Sequence, residues 1–390
     1  MKLLYISIPS FADCDFPLIK SLQKKGYDIT YLIYLDRYHL SSTLFNIKQQ
    51  SPKADIIPAT TYKELDVYNK YLDLSKIQII NSPYKRKSDF RNLKLIGKVI
   101  KFIKNNKFDI IHGDEIFSFY ECLYYIFHKK LVMTIHDPFP HSGEVSVRKS
   151  FFRNLSFKFS SKLILLNKEQ KISFIQKYKI NQDKIFISQL GIYDTIHLFK
   201  NTTNIINNTV DSQLNILFLG RISPYKGIEF LCEAMKQVKN EIPNSNLIIA
   251  GKGKLYFDFT PYKCSYIQLK NEYISLEDMY SLLRHCHIVV CPYTDATQSG
   301  VVMTAYSMLK PVIVTNVGGL PEMCKNGITG YIVPPRDSNS LANAIINLLK
   351  DPNKLSSFSN NIQQEYIEGK SSWDSIANQY IECYKEILRK

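Results

Sequence analysis

The strongest constraint on this chain is a rhythm in which short aliphatic runs recur between longer segments whose apolar residues fall at helical spacing. The runs at residues 3–8, 29–35, 77–80, 109–112, 131–135, 162–166 and 185–187 form a first series. A second series occupies 214–219, 246–250, 266–269, 287–291, 311–315 and 331–333. Runs so short and so evenly apolar suit strands buried on both faces. A helix between successive strands is what a parallel sheet requires, because parallel neighbours need a long crossover. Two such series in 390 residues predict two doubly wound α/β domains, each large enough for its own core, with a ligand cleft at the carboxyl ends of the strands. Residues 200–213, rich in Asn and Thr, read as the linker between a first domain at 1–199 and a second at 214–370. The last segment, 371–390, is expected to hold an amphipathic helix with Trp373, Ile376, Tyr380, Cys383 and Ile387 on one stripe, packing back toward the first domain.

Hydrophobic residues make up 45% of the chain and charged residues 22%, a balance that favours folded cores over disorder. The apolar run after Lys2 ends before Pro9, too short for the core of a secretion signal, so it is expected to be a buried first strand. No stretch approaches the roughly 18 apolar residues of a spanning helix. The cysteines at 14, 122, 232, 264, 286, 291, 324 and 383 form no CxxC pair or zinc-ligand spacing, and reduced, buried thiols in a cytoplasmic protein are expected.

The formal charge of +15 is one-sided: residues 1–200 carry 32 Lys and Arg against 18 Asp and Glu, and the remainder 18 against 17. A field of that kind attracts phosphorylated ligands, anionic lipid or nucleic acid. Residues 85–107 hold nine basic residues and one acid, Asp89. Within them Arg91, Lys94, Lys98 and Lys101 follow the steps of one helix side, while Leu93, Ile96, Ile100 and Ile103 make a separate apolar stripe. This predicts a basic face for an anionic membrane surface, extended by 148–162 with Phe151, Phe152, Phe157 and Phe159. No nucleic-acid-binding motif accompanies it, so nucleic acid is not an expected partner.

Chemistry concentrates at the ends of the second series of strands. Gly220-Arg221-Ile222-Ser223-Pro224-Tyr225-Lys226-Gly227 joins a strand to a helix, and so places free amides and two cations where a diphosphate can bind. Small, polar residues in Thr297-Gln298-Ser299-Gly300 let the backbone approach an anion, and Ser299 is placed to cap the next helix. Gly318-Gly319-Leu320-Pro321-Glu322 then sets a glycine pair and a carboxylate after the following strand. Gly251-Lys252-Gly253-Lys254 is half of a dinucleotide fingerprint and no Walker A pattern occurs, which argues against NAD or ATP.

Gly-Arg-x5-Gly with its internal Lys-Gly, then Thr-Gln-Ser-Gly, Lys-Pro-Val-Ile and Gly-Gly-x-Pro-Glu, resemble in order and spacing the C-terminal domain of family 4 glycosyltransferases over residues 214–337. Thr134-Ile135-His136-Asp137-Pro138 carries a looser resemblance in the first half. The resemblance implies a GT-B fold of two Rossmann-like domains. It also implies a retaining, metal-independent transfer from a nucleoside diphosphate sugar, with no cofactor, to a glycan or lipid-linked acceptor, in cell-surface polysaccharide or glycolipid synthesis at the inner face of the membrane. It assigns Arg221 and Lys226 to the donor diphosphate. Gly220 and the backbone of Gln298, Ser299 and Gly300 go to the phosphate and sugar, Gly251, Tyr273 and Ile274 to the nucleoside, and Glu322 to the donor's surroundings.

The family's pair of glutamates separated by seven residues is missing here. Asp295 is the only acid between Pro292 and Pro311, and Thr297 and Thr304 or Ala305 fall near the expected positions. His136 ends a first-domain strand, followed by His141, Gly143 and Glu144, and is expected to touch the donor sugar or acceptor. Asp13-Cys14-Asp15 resembles a metal-binding Asp-x-Asp motif but lacks a third oxygen ligand in view, so a metal is not expected. The alternative readings are another GT-B enzyme such as a nucleotide-sugar epimerase, or a non-catalytic nucleotide-sugar or nucleic-acid binder.

Overall fold

The computed structural model describes residues 1–84, 89–114, 130–139, 147–200 and 213–389. Lys85, Arg86, Lys87, Cys122, His141, Gly143, Glu144 and nearly all of the expected linker lie outside the described residues. The chain divides into two compact units, Met1–Leu190 with Trp373–Lys390, and Gly191–Ser372.

The first unit contains β1 (Lys2–Ser7), α1 (Ala12–Lys24), β2 (Asp28–Asp36), β3 (Asp55–Pro58), β4 (Ile77–Ser82), α2 (Asn92–Asn106), β5 (Ile110–Gly113), β6 (Leu131–Ile135), α3 (Val147–Phe159), β7 (Lys162–Leu165), α4 (Lys171–Tyr178) and β8 (Ile185–Ile187). They form one sheet in the order β3, β4, β2, β1, β5, β6, β7, β8. All neighbours are parallel except β3 and β4. β3 has no aliphatic run to announce it. It is a four-residue edge strand ending in Pro58, half-buried to exposed, and an edge tolerates the proline because one side needs no donor. The order reverses at β1, so the carboxyl ends of β1 and β5 flank the switch point where open α/β sheets bind ligands.

The apolar stripe of α2 differs from the expected one. Leu95, Ile96, Val99 and Ile103 face inward, whereas Leu93 is 54% exposed. The reason is local: Asn92 is buried and its Oδ1 accepts from Ser82 Oγ at 2.9 Å, which fixes positions 92, 95, 96, 99 and 103 as the inner face and turns 93 outward.

The second unit contains β9 (Leu214–Leu219), α5 (Ile228–Glu241), β10 (Ser245–Ala250), β11 (Ile267–Lys270), α6 (Leu276–His285), β12 (Ile288–Cys291), α7 (Gly300–Ser307), β13 (Val312–Thr315), α8 (Leu320–Met323), β14 (Gly330–Val333), α9 (Ser338–Leu349) and α10 (Pro352–Ile362). Its sheet, ordered β11, β10, β9, β12, β13, β14, is parallel throughout and switches direction at β9. Residues 191–199 group with this unit, ahead of the expected boundary at 199/200. Tyr193 N donates to Met303 O at 3.3 Å, the His197 ring contacts Ser307 O at 2.9 Å, and Ile196 and Phe199 are buried.

The final helix, α11 (Trp373–Leu388), belongs to the first unit. It buries Ile376, Tyr380, Cys383, Tyr384 and Ile387, and Asp374 and Glu386 pair with Lys24 and Lys162. Among the described cysteines all are buried except Cys264, which is exposed beside β11.

Candidate active site

In the second unit, glycines let the loops at the carboxyl edge lie against one another. Gly251 has φ +151, and a Cβ there would run into the carbonyl oxygen of Gly220, so no side chain fits where the loops after β9 and β10 meet. Gly227 has φ +60 and sits equally close to the Pro292 carbonyl, where any side chain would strike it. Thr294 N donates to Tyr225 O at 2.8 Å and Gly253 N to Asn271 Oδ1 at 3.0 Å, which joins the loops after β9, β10, β11 and β12 into one surface. Arg221 is exposed on it. Lys226 lies in the turn Pro224–Lys226 with Nζ 3.6 Å from the Tyr293 ring centroid. Burial draws its pKa down to about 8, and the charge of Arg221 adds to the effect. A cation held this way is stabilised by an incoming anion more than a solvated lysine would be.

Ser299 takes the N-cap position of α7, but its hydroxyl makes no capping bond, contrary to expectation. It lies 3.4 Å from the buried Tyr293 hydroxyl instead, and the Ser299 amide points to Met323 Sδ at 3.3 Å. Gly300 abuts the Tyr193 ring, whose Cε2 would be 2.7 Å from an added Cβ. Thr297 is buried, and Thr304 turns its hydroxyl back to Gly300 O at 2.8 Å, so both positions near the expected carboxylates hold hydroxyls. Gln298 is half-buried, Tyr273 and Glu322 are exposed, and Ile274 is half-buried after β11. Thus Gly220, Arg221, Lys226, Gly251, Tyr273, Ile274, Gln298, Ser299, Gly300 and Glu322 all follow strands at the carboxyl edge of one parallel sheet. That edge offers backbone amides and two cations, a set that can hold a diphosphate and neutralise charge developing on it.

His136 belongs to the first unit, at the end of β6. Its Nε2 is 2.9 Å from Asp114 Oδ1, at the end of β5, and its ring stacks on Phe11 with centroids 3.9 Å apart and planes 8° apart. Tyr5 from β1 donates to Asp15 Oδ1 at 3.1 Å and lies 3.4 Å from Asp114 Oδ1, while Tyr31 from β2 donates to Asp15 Oδ2 at 2.7 Å. Burial, and then the charge of Asp114, push Asp15 well above the usual carboxylate range. Burial likewise raises Asp13 to about 7. Both oxygens of Asp15 are therefore engaged by tyrosines, and among the described residues no group of three or more His, Cys, Asp or Glu is arranged to hold a metal. His112 is bonded on both sides, by Tyr384 at 2.6 Å and Thr134 at 2.8 Å, and burial pushes it down to about 3. Asp114, Tyr5 and Tyr384 were not singled out in the sequence. The available signal was a charged residue directly after a buried strand, which becomes specific only once β1, β5 and β6 are known neighbours.

The basic face of α2 is uneven. Arg91 pairs with Asp89 at 2.7 Å and Lys98 with Asp55 at 2.9 Å, whereas Lys94 and Lys101 are exposed, as are Phe90 and Leu93 at 76% and 54%. Among the described residues no helix is long and apolar enough to cross a membrane.

Residues 18–194 match the model of the family described as Glycosyltransferase Family 4, and residues 213–351 match the model described as Glycosyl transferases group 1. The chain belongs to the family 4 glycosyltransferases, enzymes of the GT-B fold. It is similar to two uncharacterized glycosyltransferases of Methanocaldococcus jannaschii. One is 28% identical over 59% of this chain and 61% of its own length, so that the match spans less than two thirds of that relative. The other is 25% identical over 85% and 89%. The Escherichia coli UDP-Gal:alpha-D-GlcNAc-diphosphoundecaprenol alpha-1,3-galactosyltransferase is 23% identical over 72% of this chain and 76% of its own. The crystal structure of Anabaena HepE in complex with UDP-glucose superposes with a TM-score of 0.67 at 17% identity, covering 99% of this chain and 100% of that one, a likeness of fold.

Proposed function

We propose that the protein transfers a sugar from a nucleoside diphosphate sugar to a lipid-linked or glycan acceptor, with retention at the anomeric carbon and without a metal. The observation that carries this reading is the convergence of Arg221, the desolvated Lys226 and the amides around Gly220, Gly251 and Gln298 to Gly300 on one sheet edge. Two cations and oriented amides stabilise the negative charge that grows on the departing nucleoside diphosphate, the task a divalent ion performs elsewhere. Tyr273 and Ile274 border the nucleoside, and Glu322 stands near the donor. The acceptor is taken by the first unit, where His136 touches the donor sugar or the acceptor hydroxyl. The leaving phosphate helps remove the acceptor's proton, so the threonines at 297 and 304 are compatible with activity.

The exposed Lys94 and Lys101 with Phe90 and Leu93 support a peripheral position on an anionic leaflet, where each cation contributes on the order of 1 kcal/mol. A lipid-linked acceptor fits that position, and the similar Escherichia coli enzyme acts on a diphosphoundecaprenol-linked one. The place in cell-surface polysaccharide or glycolipid synthesis follows from the same reasoning.

The test is to incubate the purified protein with UDP-, GDP- and ADP-sugars and membrane-extracted lipid acceptors, with and without EDTA, and to measure free nucleoside diphosphate and the product's anomeric configuration. Release unaffected by EDTA, with a retained configuration, is expected. Interconversion of the sugar epimers in place of transfer would establish the epimerase reading. Strict dependence on manganese or magnesium would overturn the metal-free mechanism.

A further inference from the structure

Exposed apolar side chains in the first unit gather along one edge. α2, α3 and α4 pack on the same face of the sheet, since Leu95 and Val99, Phe152 and Phe157, and Phe174 join a single core cluster. Each helix follows a parallel strand and runs back against it, so its opening turn lies at the carboxyl edge. At those opening turns Phe90 and Leu93 of α2, Val147 and Phe151 of α3, and Ile172 of α4 are 76%, 54%, 88%, 61% and 68% exposed. Further along, α2 exposes Gly97, Lys98, Lys101, Lys104 and Asn105, and α4 exposes Ser173, Gln176 and Lys177. Among the described residues of these helices only Phe159, at the far end of α3, departs from the pattern, at 43% exposed. Large apolar residues exposed singly are ordinary on a surface, but five of them on three helices at one edge mark a contact. The described charged side chains in and just before the same turns are Arg91, Lys94, Lys168 and Lys171 against Asp89 and Glu169, a positive balance.

We propose that these opening turns are the surface the protein lays on an anionic lipid leaflet, with the carboxyl edge of the first sheet toward the lipid. The proposal rests on the reading that the protein works at such a leaflet, and it deepens that reading by naming the surface. The basic side of α2 alone supplies charge; here three helices share the contact, and apolar insertion adds to the charge. A bilayer accepts separate side chains without a shape to match, and its headgroups suit the cations between them. Phe90, Leu93, Val147, Phe151 and Ile172 enter the acyl boundary, while Lys94 and Lys171 keep their ammonium groups among the headgroups. In this orientation the carboxyl ends of β1 and β5, the switch point where the architecture places ligands, face the leaflet, so an acceptor anchored in the bilayer reaches them without leaving it.

The experiment measures cosedimentation of the full chain with vesicles of phosphatidylcholine, with and without phosphatidylglycerol. Phe151→Asp/Ile172→Asp is expected to weaken binding to the anionic vesicles about tenfold or more, and Phe159→Asp, which sets the same charge at the other end of α3, to leave it within about twofold. Circular dichroism melting of each variant reports folding. A conservative variant gives a second measurement: Trp373 is the chain's only tryptophan, so Phe151→Trp adds one emission to a known background. Lipid brominated on its acyl chains is expected to quench the added emission. Wild-type binding in the folded Phe151→Asp/Ile172→Asp protein, equal loss in Phe159→Asp, or an unquenched Phe151→Trp overturns the proposal. So does self-association in solution that Phe151→Asp/Ile172→Asp abolishes, which would make the edge a contact between copies of the chain. Binding that is lost in Lys94→Glu/Lys101→Glu but kept in Phe151→Asp/Ile172→Asp overturns this surface and leaves the basic side of α2 as the membrane contact; no binding of wild type to either vesicle overturns both.

Discussion

Lys226 Nζ lies 3.6 Å from the centroid of the Tyr293 ring, and Tyr293 is itself 1% exposed. The ring face offers the ammonium an attraction that partly replaces lost water, but burial still draws its pKa down to about 8. Below that pH the lysine is a poorly solvated cation at the edge where the amides converge. Above it, the positive charge is gone.

Nucleoside diphosphate affinity is therefore expected to weaken as pH rises from about 7 through 8 and beyond, because the anion binds the charged form. Titration calorimetry with UDP across that range measures it. Lys226→Arg, with a cation that does not deprotonate in this range, is expected to flatten the dependence. Lys226→Ala and Arg221→Ala are each expected to lower turnover at least tenfold, about 1.4 kcal/mol or more of transition-state stabilisation, with folding intact. Wild-type turnover in a folded Lys226→Ala protein would remove the lysine from the mechanism.

Gly251→Ala is expected to destabilise the second unit by about 2 kcal/mol or more, because φ +151 is open to glycine and a methyl group meets the Gly220 carbonyl. Urea unfolding measures the loss. Gly26→Ala supplies the control, since it also has positive φ but nothing near the added carbon.

Binding to vesicles containing anionic lipid is expected to depend on Lys94 and Lys101 more than on Arg91 and Lys98, whose charges are met by Asp89 and Asp55. Cosedimentation of Lys94→Glu/Lys101→Glu and of Arg91→Gln/Lys98→Gln, at low and high salt, ranks them. Leu93→Asp is expected to weaken binding further by removing apolar insertion. Equal affinity for neutral vesicles would defeat the membrane assignment.

Tyr384→Phe is expected to cost about 1–3 kcal/mol, because it leaves a nitrogen of the buried His112 without its partner at 2.6 Å. The same histidine predicts acid sensitivity. Burial depresses it from 6.5 to about 3, so between those values the unfolded chain binds a proton that the folded protein excludes. Stability at this site is complete above pH 6.5 and is lost as pH falls toward 3. Denaturant midpoints measured from pH 7 to 4 read the slope, and His112→Gln is expected to reduce it.

The sequence by itself determined the two parallel sheets, because strands buried on both faces leave uninterrupted aliphatic runs that no other element explains as well. It also determined which residues stand at the carboxyl edge of the second sheet, since Gly220, Arg221, Lys226, Gly251 and Gly300 lie within a few residues of those runs, and at Gly251 and Gly300 an added side chain would strike a neighbour. The edge strand β3 escaped because a half-exposed strand needs no run, and the inner face of α2 was misplaced because a buried Asn92, not an apolar residue, sets its rotation. Ser299 has a capping residue's place without a capping bond, since the buried Tyr293 hydroxyl competes for it. The Asp114–His136 pair, its tyrosines and the link from His112 to Tyr384 were decided by tertiary structure alone. Their partners come from β1, α1, β2, β5, β6 and α11, 10 to 272 residues apart in sequence, and a buried charge acquires its meaning from what surrounds it rather than from its neighbours along the chain.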